Sequence, residues 1–296
     1  MSDPYAIRIH ETGGPEVLKK EPLDLKQPGP GQALVRQSAV GLNFIDTYFR
    51  TGLYPAKFPF TPGGEGAGLV EAVGEGVTSL KVGDRVGYVA SGTYATHVTL
   101  PADRLLALPE GVSDEDAAAV MLKGLTAWML LFEIRPIRKG DTLLVWAPVG
   151  GVGSLLASDV IVGYDNVAAQ VKALTDGEGV EVALDSVGKI SAEASLASLK
   201  KRGWFVSYGN ASGPVDPIPP ARLSAGGSLV MTRPGLFHFI DTSAGWALSS
   251  STRSASWRGR MITSCGAATR ISARRCWKNA WRATGMCSSI SRMMPL

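Results

Sequence analysis

The chain has 296 residues, 45% hydrophobic and 19% charged, with a net charge of +4. That length allows two ordinary domains, and that composition excludes a disordered chain. No run approaches the roughly 18 consecutive apolar residues of a membrane span, and the opening MSDPYAIRIHETGG lacks the basic and apolar regions of a secretory leader, so the expected location is the cytoplasm.

The charge is unevenly placed. Residues 1–242 carry 21 Lys and Arg against all 26 Asp and Glu, a net of −5. Residues 243–296 carry nine Lys and Arg and no acid, a net of +9. The three cysteines (Cys265, Cys276, Cys287) and four of seven tryptophans also lie in this tail. The shift argues that two unlike segments have been joined. Before the tail there is no Cys, and the histidines His10, His97 and His238 are scattered, so no recognisable zinc ligand set exists.

In chain order, AIRIH, QALVRQSAV, GLVEAV, DRVGYV and YATHVTL alternate apolar and polar residues between Gly/Pro turns. They predict a curled antiparallel β domain. Within it, Gly41-Leu42-Asn43-Phe44-Ile45-Asp46-Thr47-Tyr48 and Gly52-Leu53-Tyr54-Pro55 offer an Asn and two tyrosines for a flat, aromatic pocket. The competing reading of these residues is core and turn.

Ser113 followed by Asp116 predicts a helix cap, and DAAAVMLKGLTAWMLLFE the helix behind it. From TLLVWA (142–147) the texture is β/α. VEVALD, GWFVSYG and SLVMT are short apolar runs suited to parallel strands covered on both faces. ISAEASLASLKKR reads as an amphipathic helix ending before Gly203, and NVAAQVKALTDG as another helix. This is the pattern of a doubly wound nucleotide-binding domain.

The main chemical signal is Ala147-Pro148-Val149-Gly150-Gly151-Val152-Gly153, directly after a buried strand. Glycines there let backbone approach a pyrophosphate and helix pack on strand, with exposed N–H groups at the helix start holding the phosphates. Gly150 and Gly153 match the glycine fingerprint, and Pro148 stands at its first glycine. Asp185-Ser186-Val187-Gly188 and Tyr208-Gly209-Asn210-Ala211-Ser212-Gly213 follow two later strands, where an open α/β sheet receives its ligand.

GGPEVL, GLNFIDTYFRTGLYP, PGGEGAGLVEAVGEGV, KVGDRV, KGLTAW, GGVG, LDSVG, VSYGNASG and TRP together resemble the zinc-free quinone oxidoreductases, the zeta-crystallin-like branch of the medium-chain dehydrogenase/reductase superfamily. The resemblance implies an α/β protein with a GroES-like catalytic domain over 1–125 and a Rossmann NADP-binding domain over 126–242. It implies hydride transfer from NADPH to a quinone, without zinc. Gly64 stands where zinc-dependent relatives place a His ligand. By similarity Asn43, Tyr48 and Tyr54 face nicotinamide and acceptor, while Thr126, Gly150, Gly151, Val152, Gly153, Tyr164, Asn210 and Phe237 contact the coenzyme. Family members also dimerise through the strand equivalent to SLVMT, so a homodimer is a candidate assembly.

Three departures qualify this. Only Ser154 to Ser158 separate Gly153 from DVIVGY (159–164), which resembles a later family segment. A crossover needs at least about 10–12 residues, so a helix and the second strand, some thirty residues, are missing near 157/158 in this truncated Rossmann domain. The group that reads the ribose 2′ position is lost with them: Ala173 stands about 20 residues past the fingerprint, and the nearby Lys172 does not match the family's phosphate loop. Family likeness stops near Thr242, and the tail shows neither strand alternation nor balanced helix faces. Activity is therefore expected to be impaired. Two rivals remain: reduction of an activated alkene with Tyr48 or Tyr54 as proton donor, and an inactive remnant whose basic tail binds nucleic acid. The tail's composition is better explained by translation of an alternative frame of a GC-rich gene, so nucleic acid is the less favoured partner.

Overall fold

A computed structural model describes residues 3–156, 160–162, 164–241 and 260–264. The described residues up to Leu122 form one compact unit and those from Lys123 onward a second.

In the first unit β1 (Tyr5–Arg8) pairs antiparallel with β2 (Lys19–Pro22), Tyr5 opposite Pro22. β3 (Gln32–Val40) is followed by α1 (Phe44–Thr51). Gly52, at φ 83° in the left-handed region, ends α1. β4 (Glu65–Val73), β5 (Arg85–Val89), β6 (His97–Pro101) and β7 (Leu106–Ala107) complete an antiparallel sheet ordered β6-β3-β4-β5-β7. Ala33, Val35, Val70, Val86 and Tyr88 form its core. The alternation in QALVRQSAV sends Ala33 and Val35 inward, while bulges at Leu34/Val35 and Gln37/Ala39 bend β3.

Ser113 Oγ accepts the Asp116 N–H at 3.0 Å and starts α2 (Asp114–Trp128), which continues into a π-helical stretch, Met129–Ile134. Together they span 21 residues, long and apolar enough to cross a membrane. Asp, Glu and Lys interrupt it, so it holds no long run of consecutive apolar residues. Half of its apolar window is buried inside the protein, and Ala117, Ala118, Met121 and Leu125 belong to the core, so it is a core helix.

The second unit contains β8 (Thr142–Trp146), β9 (Val160–Val162), α3 (Val167–Leu174), β10 (Val180–Asp185), α4 (Ala192–Ser198), β11 (Leu199–Ser207), α5 (Pro220–Ala225), β12 (Val230–Thr232), α6 (Phe237–Ile240) and β13 (Arg260–Ser264). All six strands are parallel, in the order β12-β11-β10-β8-β13-β9. Leu143, Leu144 and Val145 are fully buried, as a strand covered on both faces requires, and each such side chain contributes about 2 kcal/mol.

Three expectations need correction. The helix ISAEASLASLKKR stops at Ser198, and Leu199–Arg202 joins β11. Pairing of Leu199 with Val180 and the Lys200–Glu181 ion pair outweigh the helical pattern. Where the glycine fingerprint calls for the start of a helix, the described residues form a 3-10 turn, Gly153–Leu155. The tail is also not wholly outside the fold. Arg260–Ser264 forms β13, with Ile262 opposite Leu144 on one side and Val160 on the other. In the doubly wound order this is the slot of the second strand, and here a later segment fills it. Residues 243–259 and 265–296, with the three cysteines, lie outside the described residues.

Candidate active site

The candidate residues fall into two groups, one in each unit. In the first unit Asn43 precedes α1 in extended conformation and is buried. Its backbone N–H donates to Asp46 Oδ2 at 2.9 Å, and its Nδ2 donates to Glu65 Oε1 at 2.8 Å. Asp46 Oδ2 also accepts the Tyr94 hydroxyl at 2.8 Å. Burial, and then the Asp46 charge beside it, push the Tyr94 hydroxyl far above its ordinary range, so it remains a donor.

Tyr48 lies one turn further along α1 and is buried. Its ring meets Phe44 at 5.5 Å and Tyr54 at 5.2 Å between centroids. Tyr54 continues the series to Phe49 at 5.6 Å, and Phe49 to Phe60 at 5.2 Å. The Tyr54 N–H donates to the Tyr48 carbonyl at 3.0 Å, which brings the second tyrosine back onto the helix. Asn43, Tyr48 and Tyr54 therefore share one neighbourhood. Leu42 and Phe44, which flank Asn43, are 77% and 60% exposed and present apolar surface beside it.

In the second unit the glycine turn follows Trp146. Ala147, at φ 52°, holds a left-handed conformation that costs a non-glycine residue about 1 kcal/mol or more. The N–H groups of Gly150, Ser154 and Leu155 donate inward, to Ala147, Gly150 and Val152 carbonyls. A Cβ on Gly153 would stand 2.1 Å from the Ala147 carbonyl oxygen, so only glycine permits this closure. Gly151 lies under the Lys123 stem, where a Cβ would come 2.9 Å from Lys123 Cδ. The turn is thus closed by backbone packed on backbone at Gly153, with a 3-10 turn behind it.

The other coenzyme candidates sit at strand ends or on helices of this unit. Tyr164, half exposed, stacks on Trp146 with centroids 5.7 Å apart. Asn210 is buried; oriented to satisfy its neighbours, its carboxamide oxygen accepts from Arg233 Nη2 at 3.1 Å and its nitrogen donates to the Gly209 carbonyl at 2.9 Å. Arg233 also donates to the Ser207 carbonyl at 2.7 Å. Thr126 lies on α2, and Phe237 opens α6 with its ring 44% exposed. Lys172, the basic residue nearest the expected 2′ position, is committed elsewhere: Nζ donates to the carbonyls of Glu178 at 2.9 Å and Leu199 at 3.2 Å.

Several supporting contacts were not read from the sequence. Asp185 is fully buried at the end of β10. Its Oδ1 accepts the N–H of Val187 at 2.8 Å and of Gly188 at 3.0 Å and the Ser191 hydroxyl at 2.7 Å; Oδ2 accepts Ser195 at 2.6 Å. These bonds tie the Asp185–Gly188 loop to the start of α4, while the N–H groups of Tyr208, Ala211 and Ser212 in the next loop donate to the Asp185, Ser186 and Val187 carbonyls, and burial pushes the Tyr208 hydroxyl up to about 12. Glu65 has the same character in the first unit. The legible signal for both was an acid within an apolar strand, in GEGAGLV and VEVALD. Among the described residues no group of three or more His, Cys, Asp or Glu could hold a metal ion.

Residues 29–110 match the alcohol dehydrogenase GroES-like domain, and 155–243 match the zinc-binding dehydrogenase domain. The chain is 44% identical over 268 residues to a quinone oxidoreductase of Pseudomonas aeruginosa, covering 80% of this chain and 82% of the relative. It is 36% identical over 274 residues to a 2-haloacrylate reductase of a Burkholderia species, with 80% and 82% covered. The solved quinone oxidoreductase of Escherichia coli complexed with NADPH superposes with a TM-score of 0.78 at 36% identity, covering 83% of this chain and 85% of that one. The GroES-like sheet, the Rossmann-like parallel sheet and these relatives agree: the chain belongs to the quinone oxidoreductases of the medium-chain dehydrogenase/reductase superfamily.

Proposed function

We propose that this chain reduces a quinone with NADPH, without a zinc ion, and that activity is lowered by the shortened coenzyme unit. The observation that carries the reading is the closure of Gly153 onto the Ala147 carbonyl, which brings a run of backbone to where a dinucleotide phosphate can be gripped. Bound NADPH supplies the hydride. The N–H groups of Gly151, Val152 and Gly153 hold the pyrophosphate. Thr126, Tyr164, Asn210 and Phe237 line the rest of the coenzyme, and Arg233 keeps Asn210 in place.

Asn43, Tyr48 and Tyr54 hold the acceptor. The edge-on rings around Tyr48 suit a flat, electron-poor ring, and such aromatic pairs contribute about 0.5–1.5 kcal/mol beyond area burial. Their task is positioning and exclusion of water. Gly64 in place of a histidine gives the acceptor no metal ligand at that point. The same reading places the reaction in the cytoplasm, consistent with a chain that has no Cys before Cys265. It also allows a homodimer through β12, which ends its sheet.

A second reading, reduction of an activated alkene, is favoured by the 2-haloacrylate reductase relative and by the tyrosines as proton donors. Loss of NADPH absorbance is followed with para-benzoquinone and with an α,β-unsaturated aldehyde as acceptors. Saturable turnover of the quinone supports the first reading. Turnover of the aldehyde alone replaces it with the second. No saturable NADPH fluorescence change would leave an inactive member of the family.

A further inference from the structure

Glu65 is fully buried in β4. A carboxylate removed from water is costly unless donors surround it. Asn43 Nδ2 lies 2.8 Å from its Oε1, and the Leu122 backbone N–H lies 2.7 Å from its Oε2. Its own carbonyl accepts the Gly41 N–H at 3.1 Å. A Cβ on Gly41 would fall 2.2 Å from Glu65 Oε1, so the loop before α1 closes over the carboxylate only because residue 41 is glycine. Glu65 therefore ties three places together, the Gly41 loop through its backbone carbonyl and, through its carboxylate, the Asn43 carboxamide and α2 at the last residue of the first unit.

We infer that Glu65 is a positioning residue for the acceptor group. The inference rests on the quinone reductase reading. An Asn carboxamide has two donors and an acceptor oxygen on a soft terminal torsion. Glu65 can only accept while ionised, so it takes one N–H of Asn43 Nδ2, fixes the orientation of the carboxamide and leaves the second Nδ2 N–H to donate to a substrate carbonyl. The same carboxylate fixes the height of Leu122 in α2. Charge-assisted hydrogen bonds are about twice as strong as neutral ones, which suits a group that must hold two elements at once.

A glutamine at 65 presents one acceptor and one donor to two donors, so either amide orientation breaks one contact. For E65Q the expected result is a fall of about 100-fold in kcat/KM for the quinone, the scale of an ångström-sized misplacement. The Kd for NADPH, read by fluorescence, stays within about twofold, because the coenzyme residues belong to the other unit. E65D, which keeps the charge but is one methylene shorter, serves where E65Q does not fold; it retains one contact and loses about tenfold. The second readout needs no turnover. In nitrogen–proton correlation spectra the Asn43 side-chain NH2 pair is well dispersed in the wild type and moves toward the free-amide position in either variant.

A lower melting temperature with unchanged kcat/KM and unchanged Asn43 signals would show that Glu65 only stabilises the fold, and would overturn the inference. Wild-type protein that turns over no quinone sinks the quinone reading. In that case the Asn43 signals alone decide, and unchanged signals in E65Q overturn the positioning role.

Discussion

The two units are assembled over different distances along the chain. In the first, the five-stranded sheet is antiparallel and uses residues between Gln32 and Ala107. In the second, the sheet is parallel, and the slot between β8 and β9 goes to β13, more than a hundred residues after β8. A parallel strand cannot be reached by a tight turn, so each position in such a sheet depends on a crossover. Loss of a segment after Gly153 would therefore take a strand from the interior of the sheet rather than from its edge. The backbone on either side must then find another partner. The first unit has no such exposure to a distant deletion.

The largest test of this difference is a chain ending at Thr242, which lacks β13. Hydrogen exchange should show loss of protection in β8 and β9 and of all saturable NADPH binding, with β3, β4 and β5 still protected. Unchanged protection in β8 would mean that β13 contributes nothing to the sheet. Next comes Asp185→Ala. It orphans two backbone N–H groups and the Ser195 hydroxyl at once and leaves Ser191 Oγ only the Gly188 carbonyl. The expected loss is about 3–5 kcal/mol in urea unfolding of the second unit, and a loss below about 1 kcal/mol would show that the network relaxes freely.

Gly153→Val sharpens the comparison within the coenzyme unit. Its Cβ must displace the Ala147 carbonyl, so NADPH affinity should fall about 100-fold, or about 2.7 kcal/mol, in a fluorescence titration. The smallest effect concerns acid. Burial works against ionisation of Asp141, but the Arg135 guanidinium and the Arg138 N–H override it and hold the carboxyl below its ordinary value. A lowered folded pKa means stability that is present above the unfolded value near 3.8 and lost as pH falls through the folded one. Asp141→Asn should therefore cost about 1–2 kcal/mol at neutral pH and nothing once the pH is below both values. Equal unfolding curves for the two proteins at pH 7 would remove this contribution.

Much of the site was legible because its residues are contiguous. Asn43, Tyr48 and Tyr54 lie within one helix and the turn behind it, so their spacing alone brought them together. The glycine turn was legible for the same reason. Glu65 and Leu122 were not, since their contact links residues far apart in sequence. The helix through Lys200 was misplaced because the local pattern could not report the pairing of Leu199 with Val180 or the ion pair of Lys200 with Glu181. Lys172 lies near the expected 2′ position without matching the family's phosphate loop, and only the structure shows that its ammonium caps two carbonyls from a turn and a neighbouring strand.

From the order of residues alone came the family, the two sheet types and the glycine turn, because each is carried by spacing and side-chain alternation within a short window. The slot taken by Arg260–Ser264 and the carboxylate that grips Asn43 were decided only in three dimensions. Backbone N–H and carbonyl groups pair with whatever segment the packing brings beside them, and buried charges with whatever donors surround them. Neither choice is written in the neighbours along the chain.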